Sequence, residues 1–130
     1  MAPNDRTKQF LEIRIEELER GRAVLSMLVH PEMANGFGIT HGGMVFTLAD
    51  TAFAYACNEG DQPTVASGAD ITFTKASHAG DTLTATAVRR WNAGRNGLYD
   101  ITVTDQHDEL VAEFRDRSFT TNRTLPTASK

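Results

Sequence analysis

The sequence predicts an α+β fold in which one long helix packs on an antiparallel sheet. The segment Gly42 to Asn58 carries Met44, Val45, Phe46, Leu48, Ala49, Ala52, Phe53, Ala54, Tyr55 and Ala56 on nearly every side of a helix. A helix that is apolar all round is buried all round. Two strand-like segments precede it and four follow it, with turn chemistry between them. In a chain of 130 residues, a sheet wrapped about the helix is the economical way to bury it.

The first segment mixes signals. Leu11, Ile13 and Ile15 alternate with Glu12, Arg14 and Glu16 at strand period, whereas Glu16 to Arg20 is good helix material. A strand is preferred, because Ala23 to Val29 is β-rich and Glu19 to Arg22, with its glycine, can turn a hairpin. Pro31 to Thr40 reads as a loop broken by Gly36 and Gly38, and the helix follows. Four strands are then expected at Thr64 to Thr74, Thr82 to Trp91, about Tyr99 to Val103, and Leu110 to Thr121. Ala79-Gly80-Asp81, Ala93 to Gly97 with its Asn96-Gly97, and Asp105 to Asp108 supply the turns. By parity Trp91 and Tyr99 belong to the core or to an interface.

Composition narrows the function classes. The length suits one domain, residues 1–130, with residues 124–130 expected as a loose tail. Thirteen Lys and Arg against 17 Asp and Glu give a formal charge of −4, which argues against a general nucleic-acid binder. One cysteine makes no internal disulfide, and Cys57, set in the apolar helix, reads as inert core. The start of the chain lacks the apolar stretch of a signal peptide. The longest apolar run, Met44 to Cys57, is interrupted by Thr47, Asp50 and Thr51 and is shorter than the roughly 20 residues of a spanning helix. A soluble, cytoplasmic protein without membrane association is therefore expected. An anionic substrate would require a local basic patch on this acidic chain.

Chemistry concentrates between Asn35 and Asp50. Gly42 and Gly43 open the helix, so backbone can approach a ligand closely and the first-turn N–H groups face outward. With the helix dipole behind them, these donors suit an anion or a tetrahedral oxyanion. Asp50 stands mid-helix among Phe46, Leu48, Phe53 and Ala54, where a carboxylate is costly unless it is paired or faces a cavity. His41 and Asn35 add neutral donors just before the helix. Each feature also has an ordinary structural reading, as turn, local hydrogen bond or cap; their conjunction marks the site. Gly42 and Asp50 are eight residues apart, about 12 Å along a helix. A base must reach within about 3 Å, so a homodimer with two shared sites is expected, one chain's Asp50 meeting the other's Gly42.

The run Asn35 … His41-Gly42-Gly43 … Leu48-Ala49-Asp50-Thr51-Ala52-Phe53-Ala54-Tyr55-Ala56-Cys57-Asn58 resembles the PaaI-type hotdog-fold acyl-CoA thioesterases of phenylacetate degradation. Ala79 to Ala85 and Gly97 to Ile101 extend the likeness, which covers Pro31 to Phe119. The resemblance implies a hotdog dimer pairing into a tetramer and hydrolysing aryl-acyl-CoA thioesters, hydroxylated phenylacetyl groups above all. It implies no metal and no cofactor, coenzyme A being part of the substrate. Asp50 would act as nucleophile or as general base for water, and the Gly42 N–H would polarise the thioester carbonyl. Asn35 and His41 would orient the substrate, with Gly43, Phe46 and Phe53 lining its path. Family members often carry Arg-Pro where this chain has Lys75-Ala76, which keeps a charge but loses a bidentate fork.

For the nucleotide of coenzyme A, Lys75 and Arg95 are the chosen cations, one at a strand end and one in a turn. His30, His78 and His107 have no metal-ligand spacing. A non-catalytic acyl-CoA binding or sensing module on the same fold is the alternative from another class. A hotdog dehydratase is disfavoured, since the nearest histidine after Asp50 is His78, beyond the helix.

Overall fold

The computed structural model describes residues 5–58 and 63–121; the tail expected at 124–130 lies outside the described residues. The elements are α1 (Arg6–Phe10), β1 (Arg14–Glu19), β2 (Arg22–Leu28), a 3₁₀ turn (Pro31–Met33), α2 (Gly42–Cys57), β3 (Thr64–Phe73), β4 (Thr82–Ala93), β5 (Asn96–Thr104) and β6 (Leu110–Thr120). Hairpin turns join β1 to β2, β4 to β5 and β5 to β6, and every neighbouring pair is antiparallel. One six-stranded sheet results, in the order β1-β2-β4-β5-β6-β3. The chain leaves β2, runs through α2 and enters β3 at the far edge, so the helix is laid across the inner face of the sheet.

Period-two alternation sets that face. Leu83, Ala85 and Ala87 of β4, Tyr99, Ile101 and Val103 of β5, and Ala112 and Phe114 of β6 are buried. Each large side chain among them contributes about 1.5–3 kcal/mol by leaving water. Where α2 crosses β2 and β4, the contact is made of small residues. Ala49, Ala52 and Ala56 of the helix meet a sheet carrying Ala23, Ala85 and Ala87, all fully buried. Alanine on alanine brings the helix close to the sheet, and a larger side chain there would overpack it.

Three expectations are corrected. The segment before β1 contains a short helix, α1, capped by the Asp5 carboxylate accepting from the Lys8 N–H. Leu11 and Ile13 are buried in the connection after it, and the strand begins only at Arg14. A bulge between Ile15 and Glu17 then breaks the alternation of this edge strand. A second bulge, between Arg89 and Trp91, turns the tryptophan out of the core to 55% exposure. Finally, α2 is not enclosed on all sides within one chain. Gly43, Phe46, Thr47, Asp50 and Ala54 form a partly open stripe along it. No helix among the described residues is long and apolar enough to cross a membrane.

Candidate active site

The entry to α2 is built by the loop that precedes it. The Asn35 side-chain oxygen accepts from the N–H groups of Phe37 (2.9 Å) and Ile39 (3.1 Å), and the Asn35 N–H donates to the Ile39 carbonyl (2.8 Å). Gly38, at φ +79°, closes this turn in the left-handed region that favours glycine. Asn35 thus shapes the loop through its carbonyl oxygen. The next residues are stitched to the segment after β3. The Ser77 hydroxyl donates to Thr40 Oγ1 (2.7 Å), both residues being buried, and the Thr40 N–H donates to the Ser77 carbonyl (2.8 Å). His41 then occupies the N-cap position with an exposed side chain that makes no capping bond.

The stitched loop and the end of β3 enclose a groove of about 560 Å³ at the start of α2, lined by Ile39, Gly42, Phe73, Lys75 and Ser77 among others. At position 42 a Cβ would stand 2.9 Å from Cζ of Phe73, so the half-exposed ring that covers the first turn would have to swing aside. Gly43 opens on free space. In the first turn, the N–H groups of Met44 and Val45 donate to the His41 carbonyl. Those of Gly42 and Gly43 take no acceptor among the described residues, as the first donors of a helix commonly do.

Farther along the helix, residues 46, 50 and 53 share one stripe, since they are spaced by about one turn each. This stripe faces β6 and β5. Phe46 meets Phe114 edge-on with ring centroids 4.9 Å apart, and Phe53 meets Tyr99 edge-on at 5.3 Å. Between the two aromatic pairs stands Asp50, opposite Asp116 of β6. Burial raises the Asp50 carboxyl above the ordinary range, partly opposed by its interaction with Asp116. Asp116 is fully buried, and neither of its oxygens makes a well-formed hydrogen bond among the described residues. Burial first, and the charge of Asp50 second, push it up to about 7.

Sequence reasoning missed Asp116. Its signal was strand parity: Phe114, Asp116 and Ser118 share the inward face of β6, while Arg115 and Arg117 point outward. Two further expectations change. Phe53 is 2% exposed and enclosed by Tyr99, so within one chain it backs Asp50 rather than offering a ligand surface. Lys75 does line the groove, but its ammonium is committed to Asp105 (2.7 Å) and to Glu109. These partners raise its proton affinity, and Lys75 in turn holds Asp105 down to about 2. Arg95 sits in the β4–β5 turn and donates to the Thr120 carbonyl (3.4 Å). That is the opposite end of β6 from Val111 at the groove, about 30 Å away at strand rise. The outer arginines are also engaged, Arg90 and Arg115 with Asp100 and Arg117 with Asp70.

A sheet wrapped on one helix, a donor-lined helix start and a mid-helix carboxylate define a hotdog-fold thioester-processing domain. The thioesterase superfamily model matches residues 37–112. The chain is 46% identical over 118 residues to acyl-coenzyme A thioesterase PaaI of Escherichia coli K12, covering 91% of this chain and 84% of that protein. The solved structure of the E. coli PaaI protein from the phenylacetic acid degradation operon superposes with a TM-score of 0.90 at 44% identity, covering 95% of this chain and 89% of the other. A Streptococcus mutans protein, smu.793, solved bound to acetyl-CoA, matches with a TM-score of 0.81 at 25% identity over 87% of this chain and 91% of that one. The chain belongs to the thioesterase superfamily and is a thioester hydrolase of the PaaI type.

Proposed function

We propose that the protein hydrolyses aryl-acyl-CoA thioesters, hydroxyphenylacetyl-CoA foremost, at sites shared between two copies of the chain. The observation that carries this reading is the placement of Asp50: partly open on the free stripe of α2, raised in proton affinity by burial, and flanked by aromatic rings. The acyl group of the E. coli relative's pathway is aromatic by name, and the exposed edge of Phe46 beside Asp50 offers an aryl ring a surface.

The carbonyl oxygen of the thioester accepts from the Gly42 N–H, which is fixed in advance and backed by the helix dipole. Asp50 of the other copy removes a proton from water, and the hydroxide forms the new C–O bond. The C–S bond then breaks, and the proton held on Asp50 passes to the departing sulfur. Aspartate is one methylene shorter than glutamate, so a bridging water suits its reach better than direct attack. The dimer brings two α2 stripes together antiparallel, covering Thr47 and Ala54 and leaving the Phe46 edge to the site, with the outer edge of β3 beside them; such dimers then pair into a tetramer. No cofactor enters these steps, and the cytoplasm is the compartment that supplies the substrate.

Thiol trapping over a panel of acyl-CoAs tests the reading. Stoichiometric, repeated release of free CoA is expected, fastest with hydroxyphenylacetyl-CoA. Tight binding without thiol release across the panel would instead identify an acyl-CoA binding module.

A further inference from the structure

Asp116 is the buried titratable group that these steps leave unused. It lies on the inner face of β6, fully buried, with both carboxyl oxygens lacking a well-formed hydrogen bond among the described residues. An ionised carboxylate in that state is among the costlier things a fold can contain. A neutral carboxylic acid costs less and can donate one O–H.

Its surroundings on each packed element show where that donor can be directed. On α2 the facing group is Asp50. On β5, Tyr99 stands directly across the ladder, its ring against Phe53. On β3 the cross-ladder residue is Ala69, which has nothing to titrate. On β6 itself Ser118 shares the face, while the Arg117 side chain points outward toward Asp70; its backbone N–H first, and its charge second, act against protonation of Asp116. Among the described residues, Asp50 is therefore the one ionisable carboxylate facing Asp116. Asp116 is fully buried whereas Asp50 stands on the partly open stripe of α2, so the charge is cheaper on Asp50 and the proton resides on Asp116.

We infer that Asp116 is a positioning residue for hydrolysis: kept protonated, it directs its O–H at Asp50, fixing the orientation of that carboxylate and keeping it the ionised member of the pair. The inference rests on Asp50 being the reacting base. Two like carboxyls at close quarters cannot both ionise cheaply, and the environment decides which one holds the proton. The active form is then Asp50 ionised with Asp116 neutral. Raising the pH beyond the titration of Asp116, placed at about 7, charges both groups and turns a donor into a repelling neighbour. The pair titrates as a unit, so the rate profile reports two apparent values belonging to both residues.

The test combines two substitutions with a direct titration. Asp116→Asn keeps a neutral donor of the same shape. It is expected to retain kcat within about fivefold and to lose the alkaline fall of the pH–rate profile. Asp116→Leu removes the donor. It is expected to lower kcat by tenfold or more with KM within about twofold, while the melting temperature rises, because an unsatisfied buried carboxyl has been removed. A merely structural residue would not move kcat down and stability up together. Carbon-13 NMR of the Asp carboxyls in the unsubstituted protein needs no foldable variant. One buried carboxyl should titrate well above the ordinary range, and Asp50→Asn should bring it down. The inference is overturned if Asp116 titrates as an ordinary carboxylate, or if both variants keep the parental kcat and pH profile. Because Asp50→Ala is assayed alongside, an inactive Asp50→Ala with unaltered Asp116 variants would reject this inference alone. An active Asp50→Ala would reject the reading beneath it.

Discussion

Two groups of acidic residues in this protein meet opposite fates. In the turn after β5, Asp105 has a lysine ammonium at 2.7 Å and accepts from the N–H groups of His107 and Glu109, which hold it down to about 2. Under α2, Asp116 has no ion-pair partner among the described residues and faces a second carboxylate, and it rises to about 7. The residue type is the same and the environments differ. The first arrangement closes the turn between β5 and β6. The second stores a proton beside the candidate base, at the one place where the helix stripe carries charge between aromatic pairs. Perturbed carboxyls in a partly open, partly apolar setting are where acid–base chemistry is expected.

Removing the base breaks the comparison most sharply. Asp50→Ala should lower kcat by at least about a hundredfold, the range set by loss of a positioned base, as read by thiol release at saturating substrate. In the intact enzyme, the acid limb of kcat/KM should lie above the ordinary carboxylate range, because burial raises Asp50. Gly42→Ala comes next. The added methyl meets the tip of the half-exposed Phe73 ring at 2.9 Å, so the ring is pushed across the carbonyl site, which should cost roughly ten- to a hundredfold in kcat.

The two acidic clusters also separate by the pH dependence of stability. The native state holds the Asp116 proton up to about pH 7, whereas the unfolded chain releases it near the ordinary value of 3.8. The unfolded state therefore binds fewer protons in that window, and stability falls as pH rises through it. Asp105 acts in the other direction: its contribution is complete above the ordinary 3.8 and is lost as pH falls through about 2. Thermal melts across pH should show Asp116→Leu about 1–3 kcal/mol more stable than the parent above pH 7. The gain should shrink toward pH 4. Lys75→Ala has the smallest expected effect on catalysis. With its charge already neutralised by Asp105 and Glu109, its loss should change KM by less than about threefold. The acid side of the stability curve should weaken.

Much of this architecture was legible in the sequence, for physical reasons. The helix from Gly42 announced itself by an apolar surface too extensive for an exposed element, and β4 up to Val88 and β5 by alternation enforced by one buried face. What escaped depended on single-residue irregularities. Trp91 had the right parity for the core, but the bulge after Arg89 reversed it. Leu11 and Ile13 alternated like a strand yet are buried from an irregular connection that follows α1. The site divided in the same way. Gly42 and Asp50 stand in one short window and could be read together. Asp116 is 66 positions beyond Asp50, and only the folding of β6 against α2 brings the two carboxyls face to face. The pairing of Lys75 was not legible either, because its partners Asp105 and Glu109 arrive from the β5–β6 turn.

The central claim, that the Gly42 amide of one copy and the Asp50 carboxylate of the other serve a single thioester, is tested most directly by complementation. Asp50→Ala and Gly42→Val chains, each inactive alone, are mixed, and heterodimers bearing two different tags are isolated. Each heterodimer holds one intact site and one doubly defective site. Thiol release from hydroxyphenylacetyl-CoA should return to about half the rate of the unsubstituted dimer. Purified heterodimers no faster than the sum of the two parents would contradict the account.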